Sequence, residues 1–103
     1  MIVIKITMTV LPGKHLELTQ TLLSMIGLTI GEKGCLNYAV FCDIEDKNSF
    51  VLLQEWNTRK DLDRHIRSHR FGVLLGTKTL LGEPPKIQIH TVTQSEGMEA
   101  IHQ

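Results

Sequence analysis

The sequence predicts an α+β domain in the order βαββαβ, with one four-stranded antiparallel sheet and its helices on one face. Three observations carry this. Residues 2–10 alternate apolar and polar with the period of a strand. From Lys14 to about Ile30 the apolar spacing changes to that of a helix. Residues Cys35 to Trp56 then form two strand-like runs around a polar loop. With 103 residues, the chain has room for one domain and one modest core.

In the first run Ile2, Ile4, Ile6, Met8 and Val10 oppose Val3, Lys5, Thr7 and Thr9. Leu11-Pro12-Gly13 ends it, because Pro has no N–H for the ladder and Gly permits the turn. In the helix that follows, Leu18, Leu22, Met25, Ile26 and Ile30 are expected inward, with Leu23 flanking them. Gly27 and Gly31 weaken its last turns or let it approach the sheet closely. In the first central strand Leu36, Tyr38, Val40 and Cys42 share one parity, and Asn37, Ala39, Phe41 and Asp43 the other. Glu45 to Ser49 has the chemistry of a turn, with Asp, Asn and Ser side chains that bond local backbone. Phe50 to Leu53 is apolar on both parities, so this strand should be covered on both faces.

After Trp56, Thr58 and Asp61 have the spacing of a helix capping box. The predicted helix runs from about Arg59 to Ser68, with Leu62 and Ile66 inward. A break near Ser68-His69 leads to a second stretch, about Arg70 to Leu81, with Phe71, Leu74, Leu75 and Lys78 on one side. Gly82-Glu83-Pro84-Pro85 stops it, and Lys86 to Thr93 alternates as the last strand. Right-handed connections turn this order into a ferredoxin-like sheet. The domain is expected over residues 1–93, with a frayed tail over 94–103. The open sheet face is largely apolar, and two such faces packed about a two-fold axis form a homodimer.

Composition narrows the function. Hydrophobic residues make up 42% and charged residues 21% of the chain, ordinary for a globular protein. Lys+Arg and Asp+Glu number 11 each, and no basic run appears, so nucleic-acid binding is not expected. No apolar stretch reaches membrane-spanning length and none reads as a signal peptide, so a cytoplasmic protein is expected. The two cysteines, Cys35 and Cys42, are about 23 Å apart along an extended strand and of opposite parity. They are expected as separate buried thiols.

Four segments carry a resemblance: Pro12-Gly13-Lys14, Glu32 to Tyr38, Phe50 to Trp56, and Leu62-Asp63-Arg64-His65. In order and spacing they resemble the antibiotic biosynthesis monooxygenase domain family, over about residues 2–93. The resemblance implies a dimeric α+β barrel. It also implies oxygenation of quinols or polycyclic aromatics without a cofactor, although relatives of the fold degrade heme, isomerise small sugar-like signals or lack known activity. Two departures matter. Family members often carry a Pro-His pair where this chain has His69-Arg70. The Asn that heme-degrading relatives use on the first strand is absent from Ile4 to Thr7, which disfavours heme.

Oxygenation without metal or flavin needs a substrate whose anion reduces oxygen. The protein then supplies a base, a dry aromatic-lined cavity and a donor for the developing oxyanion. His65 is the candidate base, or else a partly exposed His bonded to backbone or water. Trp56, the single Trp, is either a pocket wall that stacks on a planar substrate or a core aromatic. Both catalytic roles lean on the resemblance. Gln54 shares parity with Trp56, and Tyr38, Asn37, His69, Arg70 and Phe71 are the further candidates for substrate contact. Asn37 and Tyr38 lie on opposite strand faces, so at most one should reach a given cavity. Arg70 either neutralises an oxyanion or is a solvated helix-end charge. The His65/His69 spacing is that of helical metal pairs, but no Glu or Cys cluster completes a site, and no metal is expected. The expected partners are a small aromatic substrate and molecular oxygen. The competing expectation is a small-molecule-binding or regulatory barrel without turnover.

Overall fold

The computed structural model describes residues 1–101. Strand β1 (Ile2–Thr9) leads to helix α1 (His15–Ile30), then strands β2 (Cys35–Cys42) and β3 (Ser49–Trp56). Helices α2 (Arg59–Ile66) and α3 (His69–Gly76) follow, then a short 3-10 turn at Thr77–Leu80 and strand β4 (Lys86–Thr91). The sheet order is β2-β3-β1-β4, antiparallel throughout. This is the ferredoxin-like arrangement predicted. Of the tail, residues 94–101 contain one 3-10 turn at Met98–Ala100, and residues 102 and 103 lie outside the described residues. No helix among the described residues is long and apolar enough to cross a membrane.

The core lies between the sheet and the helices. Every second residue of β1 and β3 is buried there, from Ile2 to Met8 and from Phe50 to Trp56. Leu18, Leu22 and Met25 of α1, Leu62 of α2, and Phe71 and Leu74 of α3 cover them. Burying each large apolar side chain stabilises the fold by roughly 1.5–3 kcal/mol. The other faces of Val51 and Leu53 are only half-covered, so β3 is not sandwiched on both sides within one chain. Ile87 and Ile89 of β4 pair with Ile6 and Ile4 but stay exposed at this edge of the sheet.

Several expectations are corrected. A β-bulge interrupts β2 between Cys35 and Asn37, so Cys35 pairs with Trp56 while Tyr38 pairs with Gln54. The extra residue turns Leu36 out to solvent and puts Cys35 on the core side. Cys35 and Cys42, opposite Trp56 and Phe50, therefore share a face after all. Both are free; Cys35 is half-buried and Cys42 exposed, rather than both buried. On α1, Thr29 takes the buried position expected for Ile30. Leu75 is exposed, because Thr77 ends the α3 face that Phe71 and Leu74 begin. Gly27 faces open space and makes no close approach. The second helical stretch is shorter than expected, since its last residues tighten into the 3-10 turn, and β4 ends at Thr91.

Candidate functional site

The site forms where the end of β3 meets the junction of α2 and α3. Gln54 and Trp56 are two apart on β3, so both point to the helix side. Thr58 then starts α2 as its N-cap: its hydroxyl accepts from the Asp61 N–H at 3.1 Å and, in place of the reciprocal backbone bond of a capping box, donates to the Asp61 carboxylate at 2.8 Å. The cap fixes the phase of the helix, and Leu62 and His65, three apart, both face inward. Ser68 breaks the helix and caps the next one by accepting from the Phe71 N–H at 3.3 Å. That restart turns Phe71 against His65 and Arg70 towards the loop between α1 and β2. Gly34 in this loop has φ +83°, a conformation that glycine reaches at no steric cost. The loop carries Glu32.

A chain of hydrogen bonds runs through these residues. The Trp56 indole N–H can only donate, and it donates to Gln54 Oε1 at 2.9 Å. Gln54 therefore turns its amide nitrogen to His65 Nε2, 3.4 Å away. An amide nitrogen has no lone pair to offer, so Nε2 is the acceptor and the ring carries its proton on Nδ1. Nδ1 lies 2.5 Å from Glu32 Oε2. The other Glu32 oxygen accepts from Arg70 Nη1 at 2.8 Å. Aromatic packing holds the imidazole in place: its centroid is 4.8 Å from that of Trp56 and 5.5 Å from that of Phe71, the latter edge-on.

His65 is only 2% exposed. Burial holds its pKa below the ordinary histidine value, and the nearby Arg70 charge acts in the same direction; the Glu32 carboxylate opposes both without reversing them. The imidazole is thus neutral near neutral pH. Beside it opens a pocket of about 260 Å³, lined by Glu32, Lys33, Trp56, Asp61, Arg64, His65 and Ser68. The Thr58 hydroxyl and the Arg64 guanidinium hold the Asp61 carboxyl below its ordinary value, so the pocket wall carries charges of both signs.

Of the residues expected at a site, the structure brings together Trp56, Gln54, His65, Arg70 and Phe71. Tyr38 lies next to Gln54 on the same sheet face but is packed into the core, where burial and then the Cys35 thiol push its pKa up to about 12. Its hydroxyl has no hydrogen-bond partner among the described residues. Asn37 sits on the opposite face, bonded to the Tyr38 N–H and the Glu55 carboxylate. His69 is exposed at the start of α3, on the far side of the Ser68 break from His65. Among the described residues no three His, Cys, Asp or Glu side chains gather as a metal site would need. Sequence reasoning missed Glu32. It opens one of the segments that carry the resemblance, but it lies 33 positions before His65, and only the topology, which puts the α1–β2 loop beside α2, brings the two together.

A family model described as antibiotic biosynthesis monooxygenase matches residues 1–74, from β1 through the site to Leu74 of α3. The chain belongs to this family. Among solved structures, a Deinococcus radiodurans protein named for the antibiotic biosynthesis monooxygenases superposes with a TM-score of 0.86. It is 20% identical, covering 94% of this chain and 97% of its own. A conserved Methanosarcina mazei protein has a TM-score of 0.81 at 30% identity, covering 86% of this chain and 89% of its own. A Pseudomonas aeruginosa protein has a TM-score of 0.80 at 26% identity, over 90% of this chain and 94% of its own. Among curated proteins, an uncharacterised Synechocystis protein is 27% identical over 96 residues, 92% of this chain. The chain spans 65% of the length of that relative.

Proposed function

We propose that this member of the family is a homodimeric monooxygenase that oxidises a small quinol-like aromatic without a cofactor. One observation carries the reading: a buried, neutral His65 has Nδ1 bound to a carboxylate and Nε2 basic, beside the only Trp of the chain. A substrate hydroxyl that displaces the long Gln54 contact gives its proton to Nε2. Glu32 then faces an imidazolium, and its charge stabilises the ion pair as it forms. The substrate anion passes one electron to dioxygen, and the resulting radical and superoxide combine into a carbon-bound peroxide. Loss of water from the ring CH so attacked leaves a carbonyl: its hydrogen and the hydroxyl proton held on His65 leave in the water, with one oxygen atom in each product. Trp56 supplies the aromatic wall, Phe71 packs edge-on against His65, and the released Gln54 amide is a donor for the developing oxyanion. A pocket near 260 Å³ is below the roughly 300–1,000 Å³ of drug-sized sites, so a one- or two-ring quinol suits it best. The half-covered Val51 and Leu53 support the dimer.

The test is oxygen uptake with a panel of naphthoquinols and anthrones, corrected for spontaneous oxidation. Wild type should exceed background, and His65→Ala should slow turnover by roughly 10²–10⁴-fold, the usual contribution of a general base. Full activity in His65→Ala would remove the base assignment. The second reading is a binding barrel without turnover, and one observation favours it: His65 Nε2 already faces a partner, Gln54, in this structure. Saturable binding with no uptake on any substrate would select it.

A further inference from the structure

Phe50 and Trp56 stand at opposite ends of β3, about 20 Å apart along the strand. The Trp56 end holds the site above. At the Phe50 end a separate pocket of about 220 Å³ opens between α1 and the edge of β2. Leu22 and Phe50 form its buried floor. Leu23 and Phe41, among the large apolar side chains most open to solvent, form its lips at 61% and 53% exposure. The His15 ring lies against Phe50 at a centroid distance of 5.1 Å.

The polar atoms here have a single sense. A carbonyl only accepts, so the His15 Nδ1 that lies 2.6 Å from the Lys47 carbonyl oxygen carries the proton. The Thr19 hydroxyl donates to the His15 carbonyl at 2.8 Å, and the Cys42 thiol donates to the Lys47 carbonyl at 3.5 Å. Each protic side chain of the lining thus has its hydrogen engaged with backbone. With the His15 ring in its neutral form, what remains is lone pairs, foremost that of Nε2, which has no partner among the hydrogen bonds of the described residues. An apolar slot whose free polar capacity is all acceptor fits a ligand that brings the hydrogen. It does not fit an anion.

We propose that this pocket is a second ligand site, for a one- or two-ring apolar molecule bearing a hydroxyl that donates to His15 Nε2. The volume limits the occupant to a small ring system, and the slot beside the His15 and Phe50 rings favours a flat one. It is a site distinct from the Trp56 pocket, whose lining includes the charged Glu32, Lys33, Asp61 and Arg64.

The test is amide chemical-shift mapping of the whole chain with 2-naphthol, its methyl ether and 2-naphthoate. 2-Naphthol should move the amides around His15, Leu22, Val40 and Phe50 saturably. The methyl ether should bind there about tenfold more weakly, by the loss of one neutral hydrogen bond, and naphthoate more weakly still. His15→Phe keeps a ring against Phe50 and should erase the preference for naphthol over its ether. Leu23→Trp, a change at an exposed lip, should fill the slot and abolish the shifts while leaving those at the Trp56 end in place. Shifts confined to the Trp56 end, naphthoate binding as tightly as naphthol, or unchanged selectivity in His15→Phe would each overturn the proposal.

Discussion

Gly34 lies so close to Asp61 that a methyl group on it would occupy the space of the Asp61 carboxylate. The same glycine accepts the Asn57 N–H through its carbonyl oxygen at 2.8 Å. The α1–β2 loop is thus seated on the start of α2, and Glu32 reaches His65 from that seat. Replacing Gly34 with Ala forces a side chain into φ +83° and into the carboxylate. The expected loss is about 2–4 kcal/mol, from the left-handed conformation and the overpacking together. Urea unfolding measures it, and a loss below about 0.5 kcal/mol would show that the loop moves away freely.

His65 should set a pH dependence of stability. Its folded pKa lies below the unfolded value of about 6.5, so the unfolded state binds the proton more readily. Stability from this group is therefore full above about pH 6.5, falls as the pH drops below it, and levels off below the folded pKa. Asp61, with a lowered carboxyl pKa, adds its own loss only at acid pH, below about 3.8. Melting temperatures of wild type and His65→Asn across pH 4–8 should converge in slope above about pH 6.5 and diverge below it. Parallel curves throughout would mean that the buried imidazole does not titrate as stated.

Glu32→Gln keeps a polar group near Nδ1 but removes the charge that favours the imidazolium. His65 should then titrate lower still, and the acid-side loss of stability should extend to lower pH. Turnover should fall roughly 10–100-fold in kcat with little change in KM, because the lost interaction strengthens only when the proton has moved. A change in KM alone would assign Glu32 to substrate binding.

Trp56 and Gln54 should couple. Trp56→Phe leaves the buried Gln54 oxygen without its donor and should cost about 1–3 kcal/mol. Gln54→Leu leaves the indole N–H and His65 Nε2 without theirs. The double variant should lose less than the sum of the two, since much of each single loss is an orphaned partner. Strict additivity in a denaturation cycle would contradict the bond chain.

A homodimer through the open sheet face should give twice the chain mass by light scattering at micromolar concentration. Leu53→Lys, which leaves a charge in that interface, should split it. A wild-type monomer mass would refute the assembly.

The fold was legible because β1, β3 and the α2 cap advertise themselves locally: a period of two, a short apolar run, and Thr58 with Asp61. The site was half legible. Trp56, Gln54 and His65 lie within twelve positions of one another, so strand parity and helix phase place them. Glu32 and Arg70 meet only through the turn at Gly34 and the break at Ser68, and neither turn geometry can be counted from residue types. Leu36 misled for a related reason. A bulge adds one residue without changing composition, so parity counted back from Tyr38 comes out reversed at Cys35.

The bond chain from Trp56 to Arg70 has a donor-only group at each end and a carboxylate where the two directions meet. Neither the indole nor the guanidinium gives up a proton under ordinary conditions. A proton that enters at His65 Nε2 leaves an imidazolium whose other N–H faces Glu32, a carboxylate that the Arg70 charge favours in its ionised form, and the bond chain goes no further. The imidazole is a cul-de-sac: what it takes from a substrate it must return through the same mouth before the next cycle. Such a site suits a reaction that is proton-neutral overall, in which the hydrogen borrowed at the start leaves with the departing water.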